Sequence, residues 1–402
     1  MTTQAPEATQ LQQTGQHGFK KHSDGGWGLV PIQTRSERFT STNVDDFDAV
    51  TGREAMWKFT PVDRLGELLD GELDGSAYEV SSDAIEGVSV EWTGREDVRI
   101  GTAGAPEDRA SANAWSSFDR ALAITISGEV AQTVTVARSG LGGASRAAHT
   151  VIEAKPQSSA LVILESTGEA KLSENVEIIV GDAADLTVVS VQQWDDDAVH
   201  LASHFAKIGR DAHLKHVVVT LGGSIVRLNP SAHLASEGAE ADALGLYFAD
   251  AGQHLEHQVY INHDAPHTRS RVNYKGALQG AGAHTVWIGD VLIGRTATGT
   301  DSYEQNRNLV LTDGTRADSI PNLEIETGDI LGAGHASATG RFDDEQLFYL
   351  QARGIEESEA RRLVVRGFLT EIVQQIGDAD LQQRLDVAIE SELAGTVLTG
   401  GE

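Results

Sequence analysis

Short runs of Val, Ile and Leu, each closed by turn-forming residues, follow one another from about Ala121 to Thr339. VEIIV (Val176–Val180), LTVVSV (Leu186–Val191), HVVVTL (His216–Leu221), HQVYI (His257–Ile261), HTVWIGDVLI (His284–Ile293) and NLVLT (Asn308–Thr312) read as strands. GDAAD, LGGS, NPSA, ADAGQ and LQGAGA between them read as turns. Most of the gaps are too short for a helix, which disfavours a strand–helix alternation and leaves a sandwich, a barrel or a parallel β-helix. More than 200 residues of such runs exceed one sandwich, whereas a solenoid grows by adding coils. Small residues recur where tight corners would need them, at Gly181, Ala183 and Ala184 and again at Gly222, Gly223 and Ser224. The repeat has no strict six-residue period. A mainly β fold follows, with a parallel β-helix core over residues 121–341.

The flanks change period. Residues 1–18 are rich in Gln, Thr and Ala and read as a disordered tail. Over 19–120 the pattern predicts a mainly helical lead-in, with Pro61 at a helix start and Leu65, Leu68, Leu69 and Leu73 on one face. Residues 342–402 predict three amphipathic helices. The first, from Asp343, stops at Gly354. The second carries Ala360, Leu363, Val364, Phe368, Ile372 and Ile376 as its apolar stripe. The third is capped by Asp378 or Asp380 and carries Leu381, Leu385, Ile389 and Leu393. Two roles fit this C-terminal unit equally: a bundle covering the edge of the last coil, or a docking domain whose removal (Glu356–Glu402) leaves the solenoid folded.

Charge and composition narrow the partners. Thirty-one Lys and Arg against 60 Asp and Glu give a formal charge of −29, which repels nucleic acid and anionic membrane alike. There is no cysteine, which excludes disulfides, thiolate zinc sites, Cys nucleophiles and a cluster held by this chain's own thiolates. MTTQAPEATQLQQTG lacks the basic start and apolar core of a secretory signal, and no run has the roughly 18 apolar residues of a membrane span. A cytoplasmic location is expected.

Candidate chemistry is sparse. No GxxxxGK[ST] or GxSxG motif occurs, and GLGGASR (Gly140–Arg146) and GALQGAG (Gly276–Gly282) read as turns. The acidic runs Asp195–Asp197 and Asp343–Glu345 read as a solvated loop and a helix start. Among 14 histidines, His254, His257, His263 and His267 form the densest group, but His263 and His267 would share a metal-binding face only on a helix. His335 stands apart in GAGHASATG, where small neighbours leave its ring accessible at the end of the solenoid.

Ordered segments then carry a resemblance. YKGALQG (Tyr274–Gly280), QNRNLVLTDG (Gln305–Gly314), SIPNLEIETGDI (Ser319–Ile330), GAGHASATGRFDDEQLFYLQARG (Gly332–Gly354) and EARRLVVRGF (Glu359–Phe368) resemble the SufB/SufD scaffold proteins of the SUF iron–sulfur assembly system. The likeness is close over about the last 150 residues and looser before them, where EAMWKFTPVDRL (Glu54–Leu65) matches a segment near the family's N-terminus. The resemblance implies a right-handed parallel β-helix between helical regions and a scaffold without catalytic residues. It implies a SufB-like partner on the solenoid, a SufC-like ABC ATPase on residues 342–402, and a transient iron–sulfur cluster shared at the SufB-like interface. His335 matches the histidine of the family's HGAT-type motif and would be its iron or cluster ligand. Ala333 replaces a cysteine common in SufD proteins, and Ala336 replaces the glutamate that follows this histidine in SufB proteins. Both departures point away from the SufB role. Whether the isolated chain dimerises with itself is left open. A polysaccharide-acting β-helix enzyme and a purely structural solenoid are the competing readings.

Overall fold

The structure, a computed structural model, describes residues 38–341 and 344–395. The tail expected over residues 1–18 lies outside the described residues. The described residues form eighteen strands: β1 (Val80–Ser82), β2 (Val88–Gly94), β3 (Arg120–Ile126), β4 (Val134–Arg138), β5 (Gly142–Ala154), β6 (Ser159–Gly168), β7 (Ala170–Val180), β8 (Asp185–Trp194), β9 (Val199–Ile208), β10 (His213–Leu221), β11 (Ile225–Leu234), β12 (Glu240–Ala249), β13 (His254–His263), β14 (Arg269–Leu278), β15 (His284–Ile293), β16 (Thr300–Val310), β17 (Arg316–Ile325) and β18 (Ile330–Arg341).

From β3 onward successive strands alternate between two nine-stranded sheets, and each pairs in parallel with the strand two places on. Each coil is therefore two long strands and two tight corners. Register partners in neighbouring coils lie 27 residues apart at His213 and Glu240 and 31 apart at Glu304 and His335, which is why no short repeat shows in the sequence. Leu186 and Val188 of β8 face the shared interior, while Val189 and Val191 face a second apolar layer outside. Burial on both faces produces continuous Val/Ile/Leu runs rather than alternation.

The two ends of the solenoid differ. At the first coil β1 pairs antiparallel with β4, and β2 antiparallel with β3. At the last coil β17 and β18 are the terminal strands of their sheets. Their outer edges have no strand beside them among the described residues. Ile325 (42% exposed) and Leu331 (80%) sit there.

The helical expectation for the N-terminal lead-in needs correction. Its described part holds three 3-10 turns, a four-residue helix α1 (Glu67–Asp70), β1, β2 and α2 (Arg109–Ser117). Leu65, Leu68 and Leu69 are buried, against Trp57, Leu201 and Ile225, so the stripe marks a real core face. Gly66, at φ +50°, and Gly71 bound α1 and hold the helix to one turn. This segment covers the outer face of the β3–β17 sheet, Trp115 and Phe118 packing with Phe205.

Three C-terminal helices follow: α3 (Asp344–Gln351), α4 (Glu357–Val373) and α5 (Ala379–Gly395). Gly354 ends the first with φ +85°, and the Asp378 carboxylate accepts from Leu381 N at 2.7 Å to cap the third. Leu381, Leu385, Ile389 and Leu393 are buried as read. In α4 the buried face is Val365, Leu369, Ile372 and Val373, while Leu363 is 41% exposed. The doublets Val364–Val365 and Phe368–Leu369 satisfy helical spacing on either of two adjacent faces, and only packing selects one. Both helices lie on the flank of the even-numbered sheet, over Val189, Val217, Leu244 and Phe248. They do not cap the last coil. Removing Glu356–Glu402 would bare that apolar layer, so the deletion is no neutral test of docking. No helix among the described residues is long and apolar enough to cross a membrane.

Candidate functional site

The open end of the solenoid brings a histidine and a carboxylate together. In β16 the alternation buries Ser302, Glu304, Asn306 and Asn308. In β18, one coil further on, His335 lies opposite Glu304 in register. The His335 side chain is 43% exposed and that of Glu304 only 1%, with His335 Nδ1 at 3.8 Å from Glu304 Oε1. That separation is an electrostatic contact, too long for a hydrogen bond.

Glu304 is the anomaly of this end. Neither of its oxygens has a hydrogen-bond partner, and the nearby Trp287 Nε1 lacks one too. Buried polar groups are ordinarily satisfied, and an unsatisfied carboxylate is among the costliest exceptions. Burial, reinforced by the negative charge of Asp290, pushes the Glu304 carboxyl up to about 8. Gly289 makes the room: a Cβ there would come within 2.4 Å of Glu304 Oε2 and 2.3 Å of the Trp287 ring. Beside it the asparagines of β16 are paired, although the Tyr274 hydroxyl is not. Tyr247 Oη donates to Asn308 at 2.7 Å, Asn306 Nδ2 reaches Tyr247 Oη at 2.8 Å, and Ser319 Oγ donates to Asn306 Oδ1 at 2.7 Å.

The other histidines do not converge. His254 contacts His284 (3.1 Å between Nδ1 atoms) and Glu256 (Nε2 to Oε2, 2.9 Å). His257 stacks on Tyr247 and meets Thr220 Oγ1 at 3.0 Å, and His263 is held by Thr268 and Ser270, both at 2.8 Å. His267 occupies a corner with φ +57°. No group of three or more metal-binding side chains occurs among the described residues. Asp195–Asp197 is exposed between β8 and β9. Gly140, Gly280 and Gly282 take positive φ at turns, but the turn reading holds only in part, since Gly142–Arg146 begin β5 and Gly276–Leu278 end β14.

Glu304 escaped sequence reasoning. It stands one residue before the QNRNLVLTDG segment, and its signal was an acid sharing a strand face with Thr300, Ser302, Asn306 and Asn308. Period two reveals the shared face but not that it is the interior one.

With the geometry in place, comparison with known proteins adds the lineage. The SufBD core domain of SUF-system FeS cluster assembly matches residues 136–368. An iron–sulfur cluster assembly SufBD family protein of Mycobacterium bovis is 50% identical over 376 residues, 91% of this chain and 94% of that protein. One from Mycobacterium leprae is 49% identical over 368 residues, 89% of this chain and 94% of its own length. A second SufBD family protein of M. leprae is 28% identical over 222 residues, 55% of this chain and 25% of that protein. The chain belongs to the SufBD family of iron–sulfur cluster assembly proteins.

Proposed function

We propose that this chain is the SufD-like subunit of a SUF-type scaffold, contributing an imidazole and two open sheet edges to a thiol-bearing SufB-like partner. The observation that carries the reading is the chemistry of the open end: His335 is half exposed beside unpaired strand edges in a chain with no cysteine. Iron–sulfur clusters are held chiefly by thiolates, with histidine as an occasional substitute. This subunit can therefore be only a minority ligand donor, and the cluster must form where a neighbour's thiolates arrive. Free edges suit such a neighbour, because β17 and β18 can extend their sheets into it through main-chain hydrogen bonds. Ala336 beside His335, where SufB proteins carry glutamate, points away from the SufB role, and the presence of two SufBD family proteins in M. leprae supports a paired partner.

The second surface is helical. Phe348 is 71% exposed and Tyr349 56% on α3, and Val387 is 64% exposed on α5. In this reading residues 342–402 dock a SufC-like ABC ATPase through that face while the opposite face of α4 and α5 stays on the solenoid.

Anaerobic affinity purification of the tagged chain from its native host tests both contacts. A cysteine-containing paralogue and an ABC-type ATPase should co-purify. Phe348→Asp with Val387→Asp should weaken ATPase capture about tenfold or more while retaining the paralogue. His335→Ala should lower the iron content and visible absorption of the complex without dissociating it. Recovery of neither partner would end the proposal, and unchanged iron in the His335 variant would remove that residue from the site.

A further inference from the structure

We propose that Glu304 is a second ligand to the iron ion that His335 binds, so that this end of the solenoid holds a two-donor half-site. The proposal rests on the reading of His335 given above and adds a residue from the preceding coil. Three observations carry it.

The first is geometric. Donor atoms bound to one transition-metal ion at about 2.0–2.2 Å stand roughly 3–4 Å from each other, and Glu304 Oε1 and His335 Nδ1 are 3.8 Å apart. The parallel register that places Glu304 opposite His335 fixes this spacing through the backbone of β16 and β18.

The second is the unmet valence of the carboxylate. Both Glu304 oxygens lack hydrogen-bond partners although the side chain is 99% enclosed. Glutamine or methionine would fill this space at lower cost. A group kept in a locally unfavourable state marks a place where folding preference gives way to another demand. A cation between Glu304 and His335 would meet that demand, and the Gly289 gap leaves the carboxylate room to lie against Trp287.

The third is the donor set. Imidazole with carboxylate suits a ferrous ion better than it suits an ion that requires soft thiolates. Two donors leave such an ion undersaturated, and no third side chain completes the group among the described residues. The remaining positions would be filled by water in the isolated chain and by the partner's groups in the complex.

Anaerobic titration of the full-length chain with ferrous ion, against a chromophoric chelator and with excess Mg2+ to occupy the acidic surface, tests the assignment. Wild type should bind one ion per chain, and Glu304→Gln and His335→Ala should each weaken binding about tenfold or more. Metal-free Glu304→Gln should also melt at a higher temperature than wild type, which shows it is folded, yet lose the upward shift that ferrous ion gives wild type. If Glu304→Gln binds like wild type while His335→Ala does not, Glu304 is not a ligand and the His335 reading survives. If neither change matters, both assignments fall. If only Glu304→Gln loses binding, a shared ion is overturned.

Discussion

Acidification from pH 7 to pH 5 is expected to destabilise this solenoid by several kcal/mol, through its buried histidines. Burial holds His257 and His263 down to about 3 and His216 down to about 4, and it lowers His204 as well. Each of these rings stays neutral in the fold, whereas the unfolded chain takes up a proton near 6.5. Below that value the unfolded state binds more protons, so stability is complete above about pH 6.5 and drains away as pH falls toward the folded values. By pH 5 the loss is about 2 kcal/mol for each of His257 and His263. Three groups oppose it: His213, raised by Asp242, and Glu304 and Glu392, whose carboxyls are raised chiefly by burial and favour the fold as pH falls. His284 is lowered by burial too, and the five lowered rings outnumber the three opposing groups. His204 and His216 illustrate the cause, since their rings face each other in the interior with Nδ1 to Nε2 at 3.0 Å and cannot both be charged there. Urea midpoints at the two pH values measure the effect, and His257→Phe should flatten the dependence. Equal midpoints at pH 7 and pH 5 would show that these rings are hydrated in solution.

A second large effect is expected at Arg138 of β4. Its guanidinium crosses the interior to Glu174 of β7, with Nη2 to Oε1 at 3.0 Å, and also meets Ser166 Oγ at 2.7 Å. Both charged side chains are 1% exposed. Glu174 Oε1 further contacts His200 Nε2 at 2.8 Å, and His200 Nδ1 accepts from Trp194 Nε1 at 3.1 Å. Burial pushes the Glu174 carboxyl up, but Arg138 and His200 together outweigh it and hold the carboxyl well below the usual range. Arg138→Met strands that carboxylate and should cost about 3–5 kcal/mol. Arg138→Met combined with Glu174→Leu should recover most of the loss, because an apolar pair of similar volume needs no compensation. Thermal melts of the wild type and the two variants suffice. A double variant no more stable than the single one would mean that the guanidinium acts through packing rather than charge.

What the sequence revealed depended on whether burial alone set the pattern. Runs such as VEIIV and HVVVTL announced strands because a parallel sheet covered on both sides demands apolar residues at nearly every position. The stripe on α5 was equally plain, since Leu381, Leu385, Ile389 and Leu393 offer one face only. Where two answers shared a pattern, sequence could not choose. Of the second helical stripe, Ala360, Ile372 and Ile376 are buried as read, while the doublets Val364–Val365 and Phe368–Leu369 bury their second member, and Gly66 and Gly71 cut the Leu65–Leu73 stripe into short turns without hiding its burial. His335 was legible through its small neighbours. Glu304 was not, because its meaning arises only when a residue 31 positions later is laid beside it.

The unequal closure of the two solenoid ends sets a limit on how large an assembly can become. A rod able to accept strands at both tips would elongate without end, copy upon copy, as fibrils do. Here β1 and β2 end one tip in antiparallel pairing, whereas β17 and β18 end the other in parallel pairing, so the two tips do not present the same edge pattern. In the scaffold proposed above, a junction made at the β17–β18 tip would not be reproduced at the far ends, and the joined product would be a pair rather than a growing rod.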